Sequence, residues 1–378
     1  MPNPFVVRSA LGAMALALCL CAPFAHAADA AAPLKTRNVV LIVSDGLRWQ
    51  EIFTGADPTL LNEKNGGIWD KEAELRRAFW RDDAHERRRL LFPFIWGTIA
   101  AHGQIFGNQL QGSVARVTNT YWFSYPGYNE MLTGHADARV NSNEFGPNPN
   151  VTVFEWLNGL PDLKGRVAVF ATWSAFKDIF NVGRSHLPLQ VGWDPPYRGE
   201  LSPREAMLNE IYRTTTQLED TDVYDSFLQI PLVDSFARAQ PRVLFVGYGE
   251  TDNWGHMGRY DLLLHAAHSF DHYVEQLWNT LQRLPAYRGH TTFILTADHG
   301  RGSGPVEWKD HGVGQKGSEN IWIAVMGPDT APLGERSNTG EVHQAQIAAT
   351  IAALLGKDYR KAMPQAAPPI AEVLAGGR

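Results

Sequence analysis

The chain has 378 residues, of which 44% are hydrophobic and 20% are charged. This is the composition of a folded protein with a sizeable core, and it excludes a small disulfide-stapled module and a largely disordered chain. The net charge is −6, with 40 acidic and 34 basic residues interspersed along the chain. Because there is no basic stripe to neutralise a phosphate backbone, a nucleic-acid duplex is not an expected partner.

Residues 1–27 have the pattern of a secretory signal peptide. Arg8 supplies a positive start, residues 10–20 are apolar, and Ala25-His26-Ala27 is a small-x-small cleavage site. Pro23 interrupts the apolar run before the roughly 18–20 residues that a bilayer span requires. We therefore expect cleavage near Ala27, export to the periplasm or the medium, and no stable membrane insertion. Both cysteines of the chain lie in this segment, so the mature protein cannot use thiolate chemistry.

After the leader, short aliphatic runs alternate with longer amphipathic stretches. The clearest amphipathic stretch predicts a helix from Tyr260 to Leu284, where apolar residues recur every three or four positions. This alternation predicts an α/β fold with a mostly parallel central sheet sandwiched by helices, in a single domain over residues 28–378. The strands are predicted at Asn38–Ser44, Arg166–Thr172, Arg242–Tyr248, Thr291–Thr296 and Ile321–Met326.

Two stretches interrupt the alternation. Gly55–Arg89 is rich in charge, and His186–Arg204 is rich in Pro, Gly and aromatic residues. Stretches of this kind often form functional loops on a rigid scaffold. We expect both to be small cap insertions that shape the substrate pocket.

Three of the predicted strands are followed by an acidic residue. Asp45 comes directly after the first strand, Asp252 lies shortly after the third, and Asp298-His299 follows the fourth. One such Asp alone is commonly a turn former or a helix cap. Because the carboxyl ends of parallel strands meet at one edge of a sheet, three together predict a shared site.

These residues suit a metal centre. Divalent cations bind carboxylate oxygen and imidazole nitrogen, and the mature chain has no thiolate to offer instead. Asp252 and His256 are four residues apart, and Gly255 permits a bend by which one loop presents both to one ion. The full set of candidate ligands is Asp45, Asp252, His256, Asp298, His299 and His343.

Ser124 is the candidate nucleophile. Pro126 can occupy the first turn of a helix at no hydrogen-bond cost, so Ser124 is expected just before a helix N-terminus, where an anion binds. An isolated serine in this position is more often an N-cap. Neighbouring metal ions reverse that preference, because they lower the pKa of the hydroxyl and make it a nucleophile.

Aromatic residues flank this serine. Tyr125 and Tyr128 follow it directly, and Tyr121-Trp122-Phe123 precede it. With a second aromatic stretch, Trp193–Tyr197, they predict a wall for an aryl or nucleoside leaving group, the alternative being ordinary core packing.

In order and type, these motifs resemble the alkaline phosphatase superfamily. The branch indicated contains nucleotide pyrophosphatase/phosphodiesterase-like, sulfatase-like and phosphoglycerate mutase-like enzymes, and the match spans roughly Asn38 to Gly356. The segments that carry it are Val43-Ser44-Asp45-Gly46, Ser124-Tyr125-Pro126-Gly127-Tyr128, Leu132-Thr133-Gly134, Asp252-x-x-x-His256, Thr296-Ala297-Asp298-His299-Gly300 and His343.

The resemblance implies a set of ligands and an occupant for each position. One ion would be held by Asp252, His256 and His343. The other would be held by Asp45, Asp298 and His299, with Ser124 bridging to it. Two zinc ions are usual in the hydrolases of the family, and manganese, more typical of the mutases, is the alternative.

Departures from the family pattern narrow the expected activity. Tyr128 stands where formylglycine-type sulfatases have an arginine, and the chain lacks the second domain of the cytoplasmic mutases. We therefore expect an exported two-metal phosphohydrolase that cleaves small phosphate esters through a phosphoserine at Ser124. A phosphodiesterase, nucleotide pyrophosphatase or sulfatase-like hydrolase on the same scaffold remains an alternative, as does a non-catalytic anion-binding protein.

Four further residues are candidates for substrate contacts. In the related phosphodiesterases an Asn beyond the nucleophile contacts the phosphoryl oxygen, and Asn141 and Asn143 are both candidates for that position. His311 and Lys316 are candidates for contacts to the phosphate or the leaving group, the alternative being a solvated loop. Nothing in the sequence specifies an oligomeric state.

Overall fold

The apolar runs of the sequence build the strands of the computed structural model. The structure describes residue 1, residues 33–217 and residues 220–374, so the predicted signal peptide lies, apart from Met1, outside the described residues. The first and fourth predicted strands are confirmed without change of bounds. The strands are β1 Asn38–Ser44, β2 Gly103–Phe106, β3 Ala115–Arg116, β4 Val167–Ala171, β5 Leu189–Val191, β6 Val243–Tyr248, β7 Thr291–Thr296, β8 Asn320–Ile321, β9 Ile323–Met326, β10 Gly334–Glu335 and β11 Val342–His343.

Most of these strands belong to one central sheet, in the order β10-β2-β9-β7-β1-β6-β4-β5. The run from β7 to β5 is parallel, whereas β9 is antiparallel to both β7 and β2. β1, β4, β6 and β7 are buried along their whole length, as expected for parallel strands covered on both faces. The predicted α/β class, with a mostly parallel sheet flanked by helices, is confirmed.

The predicted strand Ile321–Met326 is two strands in two sheets. β8 joins a small second sheet in the order β11-β3-β8, and β9 joins the central sheet. Trp322 separates them, and its indole N–H donates to Leu47 O behind β1. A single apolar run therefore serves two sheets because one buried tryptophan is anchored between them.

The helices pack around these sheets. The long predicted helix is confirmed as Tyr260–Arg283, and its buried stripe of Leu263, Phe270, Val274 and Leu277 faces the core. No helix of the described residues is both long and apolar enough to cross a membrane. The α-helices are α1 Trp49–Thr54, α2 Glu63–Gly66, α3 Glu72–Phe79, α4 Ala84–Leu91, α5 Ala100–His102, α6 Ser124–Thr133, α7 Val153–Asn158, α8 Phe176–Ile179, α9 Val182–Ser185, α10 Pro203–Thr214, α11 Asp225–Arg238, α12 Glu250–His256, α13 Tyr260–Arg283, α14 Gln346–Leu354, α15 Tyr359–Ala362 and α16 Ala371–Leu374.

The register of the central strands decides where the acidic residues meet. β1 lies between β6 and β7, with Ser44 opposite Tyr248 and Val43 opposite Thr296. The residues that follow these three strands therefore emerge side by side at the carboxyl edge of the sheet. This is the edge at which open α/β sheets bind ligands.

Candidate active site

Three buried carboxylates converge at the carboxyl edge of the sheet. Asp45 follows β1, Asp252 lies in the first turn of α12 directly after β6, and Asp298 follows β7. Gly46 allows them to approach, because it has a φ of +59° and a Cβ there would collide with the Asp252 carboxylate. Its N–H donates to Asp298 Oδ1 at 3.1 Å, which ties the first strand end to the last.

Ser124 enters this site as the first residue of α6. The structure thus places it one step inside the helix and not before it, and no side-chain capping hydrogen bond is formed by the residue that precedes the helix. Gly127 lets α6 pack closely on the Asp298 segment, since a Cβ at this position would overlap the Asp298 carbonyl oxygen. The hydroxyl is thereby held against the third strand end, with only a small part of the residue exposed.

The turn before Ser124 is fixed by two buried polar residues that the sequence analysis did not single out. The Glu130 carboxylate accepts from the N–H groups of Thr118 and Asn119 at 2.7 to 2.9 Å. Asn119 Oδ1 in turn accepts from the N–H groups of Tyr121 and Trp122, and Trp122 has a φ of +56°. Glu130 lies six residues after Ser124 in the same motif, but nothing in its spacing marks it as a partner of the preceding turn.

The first group of candidate ligands surrounds His299 Nε2. This atom lies 3.3 Å from Asp45 Oδ1, 3.4 Å from Asp298 Oδ2 and 3.3 Å from Ser124 Oγ. His299 Nδ1 lies 2.9 Å from Gly300 O, which can only accept, so Nδ1 carries a proton and Nε2 is the ring nitrogen that can serve as a metal ligand.

The donor set of this group fits a cation. Asp45 Oδ1 and Asp298 Oδ2 are buried and have no hydrogen-bond partner among the described residues. Each of them, together with the His299 nitrogen, is an electron-pair donor, and the three lie within 4.8 Å of one another. Buried acceptors that converge without a proton donor are costly unless a positive charge sits among them. The group therefore has the ligand types of a divalent-cation site, and its buried acceptors lack a compensating positive charge.

The pKa values of these two carboxyl groups also indicate a cation site. Burial raises the pKa of Asp45 well above its usual range, and the neighbouring charge of Asp252 adds to the shift. Burial, and then the charge of Asp45, raises the pKa of Asp298 in the same way. Crowded buried carboxylates resist ionisation unless a cation compensates them, so a bound metal would reverse this direction.

The second group of candidate ligands is built by α12 and the segment after β7. Asp252 and His256 share one face of α12, four residues apart, and His256 Nε2 lies 3.1 Å from Asp252 Oδ2. The expected bend at Gly255 is absent, because this residue lies inside the helix. The other imidazole is that of His311, whose Nε2 is 2.9 Å from His256 Nε2 and 3.6 Å from Asp252 Oδ1.

His343, the residue expected at this position, is not brought to the site. It lies in β11, beside β3 of the small sheet, with 38% of its side chain exposed. Its nearest charged neighbour is Glu341, at 3.7 Å. The structure therefore offers His311, and not the predicted His343, as the second imidazole of this candidate group. The His311 ring stacks on the His299 ring with their centres 3.9 Å apart, and burial lowers the pKa of His311 to about 2, which keeps the ring neutral and able to bind a metal.

Arg301 supports the second group from behind and was missed by the sequence analysis. Its fully buried guanidinium donates to Asp252 Oδ1 and to the carbonyl oxygens of Trp308 and Lys309. Burial opposes ionisation of Asp252, but the Arg301 charge and the imidazoles of His311 and His256 together outweigh it and hold the pKa of this carboxyl well below its usual range. The only sequence signal was its place directly after Asp298-His299-Gly300.

A cavity of about 210 Å³ opens onto these groups. Asn143 lines it and Asn141 does not, which decides between the two asparagines; Asn143 Oδ1 accepts from the Tyr125 N–H at 2.9 Å. Lys316 is exposed and lines a different cavity. The lining residues are Asp45, Ser124, Asn143, Trp173, Asp222, Gly249, Asp252, Asn253 and His256.

The two tyrosines beside the nucleophile are structural and not walls of this cavity. Tyr128 is buried among Phe176 and Phe245, and its hydroxyl donates to Asp45 Oδ2 at 2.9 Å. The Tyr125 hydroxyl donates to Gly146 O. The predicted substrate contacts of both rings are therefore wrong, because the α6 backbone turns them toward the core.

The second aromatic stretch, residues 193–197, does not line this cavity either. The Trp193 ring packs against Tyr212, Tyr224 and Phe227, and Tyr197 lines a separate cavity beside β4. The aromatic wall of the active-site cavity is instead Trp173, two residues after the end of β4. This position at another strand end is the signal by which it could have been found.

Neither insertion contributes a residue to the lining of this cavity. The first, residues 55–89, contains α2, α3 and most of α4, and the Asn65 carbonyl in α2 accepts from the indole N–H of Trp308. Trp308 is fully buried three residues before His311. This insertion therefore supports the His311 segment and does not cap the pocket.

Comparison with known proteins supports the assignment of the fold. A protein-family model described as the Metalloenzyme superfamily matches residues 213–359, which include Asp252, His256, Asp298, His299 and His311. The alkaline phosphatase PafA is 12% identical, with a TM-score of 0.54 over 92% of this chain and 100% of that chain. The fold expected from the resemblance to the alkaline phosphatase superfamily is confirmed.

Two further structures with the alkaline phosphatase-like fold have other named activities. The phosphonate monoester hydrolase SpPMH from Silicibacter pomeroyi is 13% identical, with a TM-score of 0.55 over 91% of this chain and 77% of that chain. A 2-O GAG sulfatase is 11% identical, with a TM-score of 0.52 over 91% and 75%. At such identities the likeness establishes the fold and no particular substrate. No curated protein sequence matches the chain significantly.

Proposed function

We propose that this protein is a metal-dependent hydrolase that cleaves small phosphate esters with Ser124 as the nucleophile. The observation that carries the proposal is that Ser124 Oγ and two carboxylate oxygens lie within 3.4 Å of His299 Nε2. Neither carboxylate oxygen has a hydrogen-bond partner among the described residues. A hydroxyl placed beside such an acceptor cluster has the surroundings of a metal-activated nucleophile.

The residues present fit two divalent ions. Asp45, Asp298 and His299 would hold one, with Ser124 beside it, and Asp252, His256 and His311 would hold the other. Both sets contain only oxygen and imidazole nitrogen, which favours zinc, with manganese as the alternative. When bound, such ions lower the pKa of a hydroxyl and offset charge on the phosphoryl oxygens.

The protein's own groups then define the reaction. Ser124 Oγ attacks phosphorus in line with the leaving group, the ester P–O bond breaks, and the departing oxygen takes up the proton that Ser124 loses. Water then hydrolyses the phosphoserine and releases the free serine with phosphate, or with a phosphate monoester when the substrate is a diester. Asn143 lines the cavity with Ser124, which supports a role for its amide as a donor to a phosphoryl oxygen. The buried Arg301 keeps Asp252 ionised throughout.

Phosphate is favoured over sulfate by the nucleophile segment. The position at which formylglycine-type sulfatases carry an arginine is occupied here by Tyr128, which is buried and donates to Asp45. Ser124 is thus offered as an unmodified hydroxyl. The leader-like segment at residues 1–27 supports an exported enzyme.

The test is turnover of matched aryl esters with controlled metal content. We expect chelation to abolish hydrolysis of p-nitrophenyl phosphate and bis(p-nitrophenyl) phosphate, zinc to restore it, and p-nitrophenyl sulfate to be cleaved far more slowly. Elemental analysis should find two metal equivalents per chain, and fewer in Asp45→Asn. The matched control is Asp358→Asn, which changes an exposed aspartate paired with Lys361. This variant should keep the wild-type rate of hydrolysis and the wild-type metal content. Full activity of a metal-free protein, or a preference for the sulfate, would overturn the proposal.

A further inference from the structure

The substrate side of the active-site cavity carries an aromatic ring and a carboxylate that belong to neither group of candidate metal ligands. These are Trp173 and Asp222, which line the cavity together with Ser124. Trp173 lies just after β4, and Asp222 lies shortly before α11, so the two come from segments that are distant in sequence.

The backbone holds these two side chains next to each other. Trp173 and Asp222 form an antiparallel bridge, flanked by hydrogen bonds from Ser174 N to Thr221 O at 2.9 Å and from Val223 N to Thr172 O at 3.0 Å. The bridged residues do not exchange these bonds themselves, so they form the non-hydrogen-bonded kind of pair, in which opposed side chains are closest. The indole is braced further by the edge of Phe176, at 6.1 Å between ring centres.

The charge of this wall is negative. Among the described residues, the lining of the cavity contains no lysine or arginine, and the nearby Arg301 is committed to Asp252 and two backbone carbonyls. Asp222 Oδ1 lies next to Gly249 at the cavity surface, since a Cβ on that glycine would be 3.1 Å from it. A carboxylate at this place opposes a second negative charge on the substrate and attracts a positive one.

We propose that this wall recognises an alkylammonium group on the alcohol or second ester group of the substrate. The face of an indole attracts an ammonium or quaternary ammonium group, and an adjacent carboxylate adds a charge pair at the same place. Asn253, next to Asp252 in α12, lines the cavity and offers an amide to the rest of the substrate. The inference rests on the proposed function and specifies the class of phosphate ester: one whose organic part carries a fixed positive charge close to phosphorus.

The decisive comparison uses a charged substrate and its uncharged carbon isostere. We expect kcat/KM for p-nitrophenyl phosphocholine to exceed that for p-nitrophenyl 3,3-dimethylbutyl phosphate by about tenfold or more, because only the former gains the ring and carboxylate interactions. Asp222→Asn should reduce this preference to a few-fold. Trp173→Leu should lower kcat/KM for the charged substrate more than kcat/KM for the isostere. Asp358→Asn removes the same charge at a surface site that does not line the cavity, and should keep the preference unchanged.

A binding measurement keeps the inference separate from the proposed reaction. Calorimetric titration with choline and with 3,3-dimethylbutanol measures the affinity of each ligand for this wall, whether or not any ester is cleaved. Choline should bind at least about tenfold more tightly. Tighter binding of choline without turnover of any phosphate ester would reject the proposed function and retain the ammonium site. Equal affinities, or equal kcat/KM values for the two esters in the wild-type chain, would overturn the inference. Glycerophosphocholine and phosphatidylcholine vesicles, assayed for released phosphocholine or choline, then distinguish a soluble source of the group from a membrane lipid.

Discussion

The Nε2 atoms of His256 and His311 lie 2.9 Å apart, although 55 residues separate them in the chain. Both nitrogens face Asp252, at 3.1 Å from Oδ2 and 3.6 Å from Oδ1 respectively. Two imidazole nitrogens and a carboxylate this close are expected where they share one cation. This relationship is what replaces His343 by His311 in the proposed ligand set.

His311→Ala and His343→Ala are therefore a matched pair. His311→Ala should lose one of the two metal equivalents and lower turnover by at least about a hundredfold, because one ion loses a ligand. His343→Ala should keep both, since that residue lies in the small sheet beside Glu341. Elemental analysis measures the metal content of both variants, and aryl phosphate hydrolysis measures their turnover. The reverse pattern would restore His343 to the ligand set.

Replacement of Ser124 tests the covalent step. Ser124→Ala should reduce turnover by roughly 10³-fold or more without loss of folded protein, since only the attacking oxygen is removed. Ser124→Thr keeps a hydroxyl and should retain measurable activity. Rapid quenching of the wild-type reaction followed by mass spectrometry should find phosphate on the peptide that contains residue 124. Near wild-type rates for the alanine variant would instead indicate direct attack by water.

Tyr128→Phe tests whether the Tyr128 hydroxyl supports the metal site, independently of the packing of its ring. The ring stays in the core, but Asp45 Oδ2 loses the hydroxyl that donates to it at 2.9 Å. Burial keeps the pKa of Tyr128 well above its usual range, so the wild-type hydroxyl is always a donor. We expect zinc affinity to fall about 10- to 100-fold, as for other groups that orient a metal ligand. Tyr125→Phe loses a hydrogen bond to Gly146 O instead and should leave zinc affinity unchanged in the same chelator competition.

Asp271 gives a prediction about stability that is independent of catalysis. It lies in α13 and accepts from the N–H groups of Phe94 and Ile95, and burial raises its pKa to about 7. Between about pH 4, where an unfolded Asp titrates, and pH 7, the folded chain holds a proton that the unfolded chain has released. The contribution of Asp271 to the free energy of unfolding therefore falls as the pH rises through this window.

Asp271→Asn lacks this titration. The wild type should therefore exceed this variant in free energy of unfolding by more at pH 4 than at pH 7. The change in this difference should be on the order of 1–4 kcal/mol. Urea denaturation of both chains under identical metal conditions measures the difference. Asp329→Asn is a control of opposite sign, because the N–H groups of Lys35 and Thr36 outweigh burial and lower the pKa of Asp329. A pH-independent difference for Asp271→Asn would contradict the assignment.

The sequence by itself determined the frame of this site. The bounds of β1 and β7 and the helix from Tyr260 follow from local periodicity, because strands and helices each bury a fixed pattern of apolar residues. Asp45 follows β1 directly and Asp298 lies two residues after the end of β7, so the parallel sheet alone carries them to one edge. Pro126 and the motif around it predict that Ser124 lies beside a helix N-terminus, although the structure makes it the first residue of α6 and not the residue before it.

Only the tertiary structure decided what surrounds this frame. Whether His311 or His343 reaches Asp252 depends on the segment after β7, which is held by the buried Arg301 and by Trp308 bound to Asn65 in a distant insertion. The direction of the Tyr125 and Tyr128 rings depends on how α6 packs on the core, and the pairing of Trp173 with Asp222 depends on an isolated bridge between remote segments. Each of these is a contact between residues far apart in the chain, and local spacing carries no information about which distant partner a side chain meets.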